Sequence, residues 1–523
     1  MKTVSKCLII AGAVLMSSAL FAAEVQTNPI VIHAQQAVTP LAFRDMKPLP
    51  FRPMLRKEHE RVAPMHVSNV PDPLTQTVIL PQVSATIGLN FDGITGSQGG
   101  GFVPPDTNAS VGDTQVVETV NIAYSVYNKT TGVLTMGPTN IQTLYSPLGG
   151  ECGTGNLSDP VVSYDKIAAR WTITMIAFNN TFTVNDACVA VSTTSDATGT
   201  YHLYSFSYGK TLPDYPKLAV WPDAYYLTTN SFPSGNNFTG AESCALDRTN
   251  MLAGNPATAI CFQRGVTDFA LLPSDLDGAT LPPTGSPNYE IDESATSTTQ
   301  LNLYKFHVDF VVPTNSTFTG PTTLKVAAYT DACAATGTCI TQPSPGEKLD
   351  SLGGHIMHRF AYRNFGDHEA LVANHSIKPS GSGGAVSGVR WYEIRSPGAS
   401  PIIFQSGTVG GGTSSIAKWM GSIAMDKVGD IALGYSKSNT STKPTIEFVG
   451  RVPTDAKGTM ESAKNIKTGT GVQTGAGGRW GDYSSMAIDP TDDCTFWYAQ
   501  EYYSVNGFNW HTRMASFKFT GCM

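Results

Sequence analysis

Charge is scarce in this chain: Asp, Glu, Lys and Arg make up 14% of its 523 residues. Leu, Ala, Glu and Lys nowhere gather at helical spacing, which argues against long amphipathic helices. No cluster of Lys and Arg forms a basic patch, and the formal net charge is −7, so nucleic acid is not expected as a partner. CxxC pairs are missing, which argues against a cysteine-built zinc site. There is no GxSxG elbow and no phosphate-binding P-loop. The segment HEALVANH, from His368 to His375, is not HExxH, because its second histidine comes three positions too late for that helical zinc site.

Beyond the first 23 residues no apolar run reaches the ~20 residues of a spanning helix. Those residues read as a cleaved secretory signal: Lys2 and Lys6, an apolar run from Cys7 to Phe21, then Ala22 and Ala23 before Glu24. Loss of the two signal lysines takes the net charge to about −9. Eight cysteines follow, namely Cys152, Cys188, Cys244, Cys261, Cys333, Cys339, Cys494 and Cys522. An even number in an exported chain suits four disulfides, in the extracellular space or periplasm. Eight cysteines allow 105 pairings, among which nearest neighbours are expected in a repeat protein.

Residues 24–85 are proline-rich and lack strand alternation, with mixed charges in RKEHER from Arg56 to Arg61. They read as an extended arm or linker, lying along the body or serving as a pro-segment. Residues 86–523 are different. Short runs of Val, Ile, Thr, Tyr, Phe and Trp recur there, broken by Gly (50 in the chain), Asn, Asp and Pro (33). Seven units start near Asp106, Asp159, Asp214, Asn288, His355, Trp419 and Asp482, spaced by roughly 50 to 75 residues. A single sheet of this kind cannot bury both faces, whereas a radial array leaves only short protected edges. The expectation is an all-β fold, a β-propeller of seven four-stranded antiparallel blades.

In such a ring the innermost strands line a channel, and equivalent positions converge on its mouth. Asp106, Asp159, Asp214, Asn288, His355 and Asp482 are placed there by the repeat. Converging carboxylates repel one another unless a cation sits among them. Lys217, Arg359 and Arg479 would serve, and so would calcium on Asp106, Asp159, Asp214 and Asp482. The plain alternative is that each Asp caps a turn through its own side chain. Trp419 and Trp480, with Arg390 and Arg479, offer the flat aromatic and planar cationic groups that hold sugars or carboxylates, or else pack between blades. SDLDG, at Asp275 and Asp277, opens like a calcium loop but lacks the rest of the spacing and reads as a turn. Asp482, Glu501 and the acidic ring are the carboxylates from which an acid–base pair for glycoside cleavage would come.

Several stretches carry a resemblance: DPVVSYD with ARW, DYPKLAVWPDAYYLTTN, YRNFGDHEALVANHS with GVRWYEIR, and MGSIAMDKVGDIALGYS with RWGDYSSMAIDP. The chain from Asp92 to Cys522 resembles secreted bacterial β-propeller proteins of the sialidase-type superfamily. That implies a propeller fold. It does not bring the sialidase site, since SYDKIAARW keeps only Ser163, Asp165 and Trp171 of the SxDxGxTW box, and MDKVGD around Asp426 keeps less. The leading functional expectation is a binding module for an extracellular glycan or protein at the channel mouth. A polysaccharide hydrolase or lyase using the same mouth is the alternative, and a structural scaffold the third. No cofactor is required, and nothing here sets an oligomeric state.

Overall fold

The computed structural model describes residues 28–51, 65–380, 386–412 and 414–523. The signal pattern at 1–23 and the RKEHER segment lie outside them. The described chain is nearly all β, and its strands fall into seven groups of four that follow one another in sequence. The first comprises Asn108–Val111, Gln115–Val120, Ala123–Asn128 and Leu134–Asn140. The second runs from Asn156–Asp165 to Tyr201–Gly209, and the third from Thr211–Val220 to Thr258–Gln263. The fourth runs from Leu272–Asp277 to Thr317–Lys325, and the fifth from Phe360–Asn364 to Ile402–Val409. The sixth runs from Ala417–Met425 to Lys464–Lys467. The seventh holds Ser485–Ile488, Thr495–Tyr502 and His511–Phe519.

Each group opens on its inner strand, and successive inner strands touch around a closed ring that returns from the seventh group to the first. Between the fourth and fifth groups the contact becomes true parallel pairing, Ser274–Asp277 against Phe360–Arg363. This is a β-propeller. Its fourth strand in the last group comes from the other end of the sequence: Ala85–Thr95 pairs with His511–Phe519, so the ring has no open edge at the join.

Burial explains why these runs became strands. Inner and middle strands are covered on both faces, so they read as continuous apolar runs rather than as alternation. All of Asn185–Ser192 is buried, as is RWTITMIAF after Arg170. Outer strands such as Thr317–Lys325 are largely exposed and carry threonine instead. Neighbouring groups meet through separate apolar clusters, for example Tyr124, Ile173 and Tyr201 between the first two, and Val189, Leu218 and Leu227 between the next two.

The arm is part of this body. Ile30–His33 pairs with Thr258–Cys261 and Gln35–Val38 with His202–Ser205, each adding a fifth strand. Farther on, Asp72 forms a buried ion pair with Arg390 of the fifth group. Residues 326–359 cross from the fourth group to the fifth and form a cap. A short ribbon there pairs Thr338–Ile340 with Leu349–Asp350. It docks on the loop before the seventh group, where Glu347 accepts from the Gly478 amide at 2.9 Å.

The four disulfides join nearest neighbours: Cys152–Cys188, Cys244–Cys261, Cys333–Cys339 and Cys494–Cys522. The third closes a loop of the cap, and the fourth ties down the C-terminus. Among the described residues no helix is long and apolar enough to cross a membrane.

Candidate functional site

A repeated kink marks the inner strands of six of the seven groups. Just before or within the inner strands the backbone turns left-handed, at Asp106 (φ 53°), Asp159 (55°), Tyr215 (55°), Ala270 (49°), Met420 (56°) and Asp482 (58°). The strand register slips at the same places, between Ser158 and Val161, Asp214 and Lys217, and Trp419 and Ser422. Such bulges bend a strand and re-aim its side chains, and Asp tolerates the conformation better than most residues.

Asp106, Asp159, Asp214 and Asp482 share one electrostatic neighbourhood, and the ammonium of Lys217 feels all four. Lys217 is 2% exposed. Its Nζ lies 3.4 Å from the centre of the Tyr215 ring and 4.2 Å from that of Tyr483, and donates to the Pro216 carbonyl at 3.0 Å. Burial brings its pKa down to about 8 against the pull of the aspartates. Asp214 moves the other way, up to about 7, through burial and then through the charges of Asp159 and Asp482. The Tyr215 amide and Arg479 oppose that rise. Arg479 holds both oxygens of Asp482, at 2.7 and 2.8 Å. Ser158 Oγ donates to Asp159 at 2.6 Å.

The floor and roof are aromatic and histidine-rich. Tyr215 OH meets His355 Nε2 at 3.0 Å and lies 3.3 Å from the Asp482 carbonyl. Tyr483 OH donates to the Pro160 carbonyl at 3.0 Å, and its pKa is pushed well up by burial and by Asp106, Asp159 and Asp482. His358 reaches Asn108 Nδ2 at 3.2 Å, and burial, with Lys217 and Arg359 nearby, drives its pKa down. Glu501, fully buried, accepts from the Gly481 amide at 2.8 Å and so props the turn carrying Asp482. Burial raises its pKa well above the ordinary range.

Asp159, Asp214, Tyr215, Arg479 and Asp482 are half-buried and reach solvent, whereas Asp106, Lys217, His355, His358 and Tyr483 are buried beneath or beside them. Deeper in the channel Arg359 pairs with Asp275 and Asp277, each at 2.7 Å, and Lys166 joins Asp277 at 3.1 Å. The cavity at that level, lined by Val111, Ser163, Asp275, His358, Arg359 and Ser485, is about 30 Å³, room for a single water. A sugar does not fit at that depth.

The structure departs from the sequence expectations at several residues. Asn288 stands at the start of a second strand, not an inner one, and its amide bonds both backbone groups of Ser274, at 2.8 and 3.2 Å. Arg390 is fully buried away from the mouth, bonded to Thr408 Oγ1 at 2.6 Å and to Asp72. Trp419 and Trp480 are fully buried, with ring centres 5.5 Å apart, beneath Leu349, Leu352 and Met357 of the cap. They pack and present no face to a ligand. Asp275 and Asp277 lie in the inner strand Leu272–Asp277 and serve Arg359, so they form no turn, and Arg359 is spent there rather than on the acidic ring. The ammonium of Lys217 is a cation that all four aspartates act on, the role for which calcium on Asp106, Asp159, Asp214 and Asp482 was the other candidate. Tyr215, Tyr483 and His358 were not singled out from the sequence. A signal for the tyrosines was present, since each directly follows a mouth aspartate in the doublets Asp214–Tyr215 and Asp482–Tyr483.

Arg390 supports a direct test of its anchoring role. Arg390→Met should cost about 3–5 kcal/mol in urea unfolding, because Asp72 is left buried and unpaired. A loss below about 1 kcal/mol would contradict that role.

No family model matches the chain, and no curated protein matches it. Among solved structures it is similar to a Hadza microbial sialidase at 10% identity and TM-score 0.34, over 80% of this chain and 66% of that one. It is also similar to the α-L-arabinanase of Penicillium chrysogenum, at 9% and 0.34, over 67% and 93%. A third is the exo-β-1,3-galactanase of Phanerochaete chrysosporium, at 12% and 0.29, over 82% and 97%. Scores this low establish no residue correspondence.

Proposed function

We propose that the protein is an exported glycoside hydrolase acting on a neutral polysaccharide at the channel mouth. The observation that carries this is the set of half-buried carboxylates gathered around Lys217, one of which is pushed toward neutrality while its neighbours are held by hydrogen bonds and an arginine. Cleaving a glycosidic bond needs a protonated carboxyl for the leaving oxygen and an ionised one for water or the sugar carbon. Two carboxyl environments pulled apart in this way supply that division of labour.

Asp214 is the acid in this reading. Asp159 is the ionised partner, since both oxygens of Asp482 accept from Nη2 of Arg479. Asp106, at 1% exposure, acts through its field on Lys217 and does not touch substrate. Four aspartates against one ammonium and one guanidinium leave the mouth acidic, which favours uncharged sugars over uronic or sialic acids. Tyr215 and His355 supply an amphipathic wall beside the acid. The signal-like N-terminus and four disulfides support export.

A pure binding module, the leading expectation from sequence, loses its aromatic platform with the burial of Trp419 and Trp480. Incubating the mature protein with a panel of neutral polysaccharides and measuring new reducing ends separates the two readings. Hydrolysis predicts reducing ends that accumulate with time. Saturable binding without any new ends would restore the module.

A further inference from the structure

We propose that His66, Glu293 and Asp331 form a zinc site, completed by a water as fourth ligand, that staples the N-terminal arm to the fourth and fifth groups of the propeller. The three come from separate segments: the arm, the end of the strand Asn288–Glu293, and the start of the cap. All are buried, His66 and Glu293 at 6% exposure and Asp331 at 0%. His66 Nδ1 lies 3.0 Å from Asp331 Oδ2 and 3.6 Å from Glu293 Oε2. Ligand atoms about 2.0 Å from a tetrahedral zinc stand about 3.3 Å apart, and these spacings bracket that value.

The surroundings have the form expected around metal ligands. His66 Nε2 lies 2.6 Å from the Ser294 carbonyl, so it carries a proton, and neutral His66 then turns the lone pair of Nδ1 toward the two carboxylates. A metal-bound imidazole is held in this way, by its other nitrogen on a backbone carbonyl. Glu293 is oriented in turn by Tyr329 OH at 3.1 Å and His375 Nδ1 at 2.6 Å. Asp331 Oδ2 accepts the His66 amide at 2.6 Å, while Asp331 Oδ1 is buried with no hydrogen-bond partner. A buried carboxylate oxygen left in that condition is costly unless something binds it.

Charge balance points the same way. Glu293 and Asp331 as two carboxylates match the charge of a divalent cation, and Arg390 is paired with Asp72. A divalent cation with neutral His66 brings the sum to zero. One imidazole and two carboxylates suit zinc, whereas calcium takes only oxygen ligands. The other cluster of ligand-type residues among those described, Glu242 with Cys244 and Cys261, has its sulfurs locked in a disulfide.

The test uses the mature full-length protein, stripped with a chelator and titrated with zinc by calorimetry, then with cobalt by visible absorption. The expected result is one equivalent of zinc per chain, a melting temperature that rises until that equivalent is reached, and cobalt bands of tetrahedral intensity. His66→Ala and Asp331→Asn should neither bind zinc nor gain from it. Should those variants fail to fold, the cobalt spectrum of the wild type alone decides. Absence of saturable zinc binding in the wild type, octahedral cobalt bands, or an undiminished zinc response in both variants would overturn the site and leave an ordinary His–carboxylate pair.

Discussion

Lys217→Met is expected to lower the unfolding free energy at neutral pH by about 3 kcal/mol, the low end for removing one partner of a buried charge pair. Methionine keeps much of the volume between the Tyr215 and Tyr483 rings but removes the one ammonium shared by Asp106, Asp159, Asp214 and Asp482. The low end applies because Asp159, Asp214 and Asp482 reach solvent, and Asp214, held up to about 7 by burial, takes up a proton as pH falls. The loss should therefore shrink as pH falls toward 5. Adding Asp214→Asn should restore part of the stability, giving a coupling of about 1 kcal/mol or more between the two sites. Urea unfolding of the four proteins in that cycle measures it. Strictly additive effects would mean that Lys217 neutralises nothing at the mouth.

Asp214→Asn should reduce kcat on polysaccharide by about 10²–10⁴-fold, the usual worth of a positioned general acid. Turnover by the wild type should fall as pH rises through about 7, where Asp214 gives up its proton. Stability carries a matching signature. Asp214 holds its proton more tightly folded than unfolded, so its contribution is complete below the ordinary aspartate range and is lost as pH rises through about 7. The Asn variant should lack both slopes. A pH–rate profile of the wild type beside thermal melts of both proteins checks this.

Much of the ring was legible from spacing. Asp106, Asp159, Asp214, Trp419 and Asp482 all lie at or within a few residues of the inner strands, and at Asp106, Asp159 and Asp482 the left-handed backbone falls on an Asp, which tolerates it. The fourth group was misread for a physical reason. Its inner strand, LPSDLD, is short and half polar, since Asp275 and Asp277 must meet Arg359, so it looked like a turn. The strand pattern after Asn288 is the stronger of the two.

Residues whose partners lie far away in sequence could not be read. Arg390 meets Asp72 across 318 positions, and nothing local tells such an arginine from a ligand-binding one. Trp419 and Trp480 resemble a sugar platform until residues 326–359 are seen to fold over them. The arm likewise showed only proline and mixed charge, yet Ala85–Thr95 just beyond it closes the ring, and Ile30–Val38 extends two sheets. Pairing supplied by a distant strand leaves no periodicity at either end of the contact.

The central claim is that Asp214 protonates a leaving glycosidic oxygen at the mouth. It is tested most directly by comparing Asp214→Asn with wild type on two substrates of the same sugar, the polysaccharide and a dinitrophenyl glycoside whose leaving group needs no proton. A general acid predicts a loss of about 10²–10⁴-fold on the polysaccharide but less than about tenfold on the aryl glycoside. Equal losses on both substrates, or undiminished polysaccharide cleavage, would contradict it.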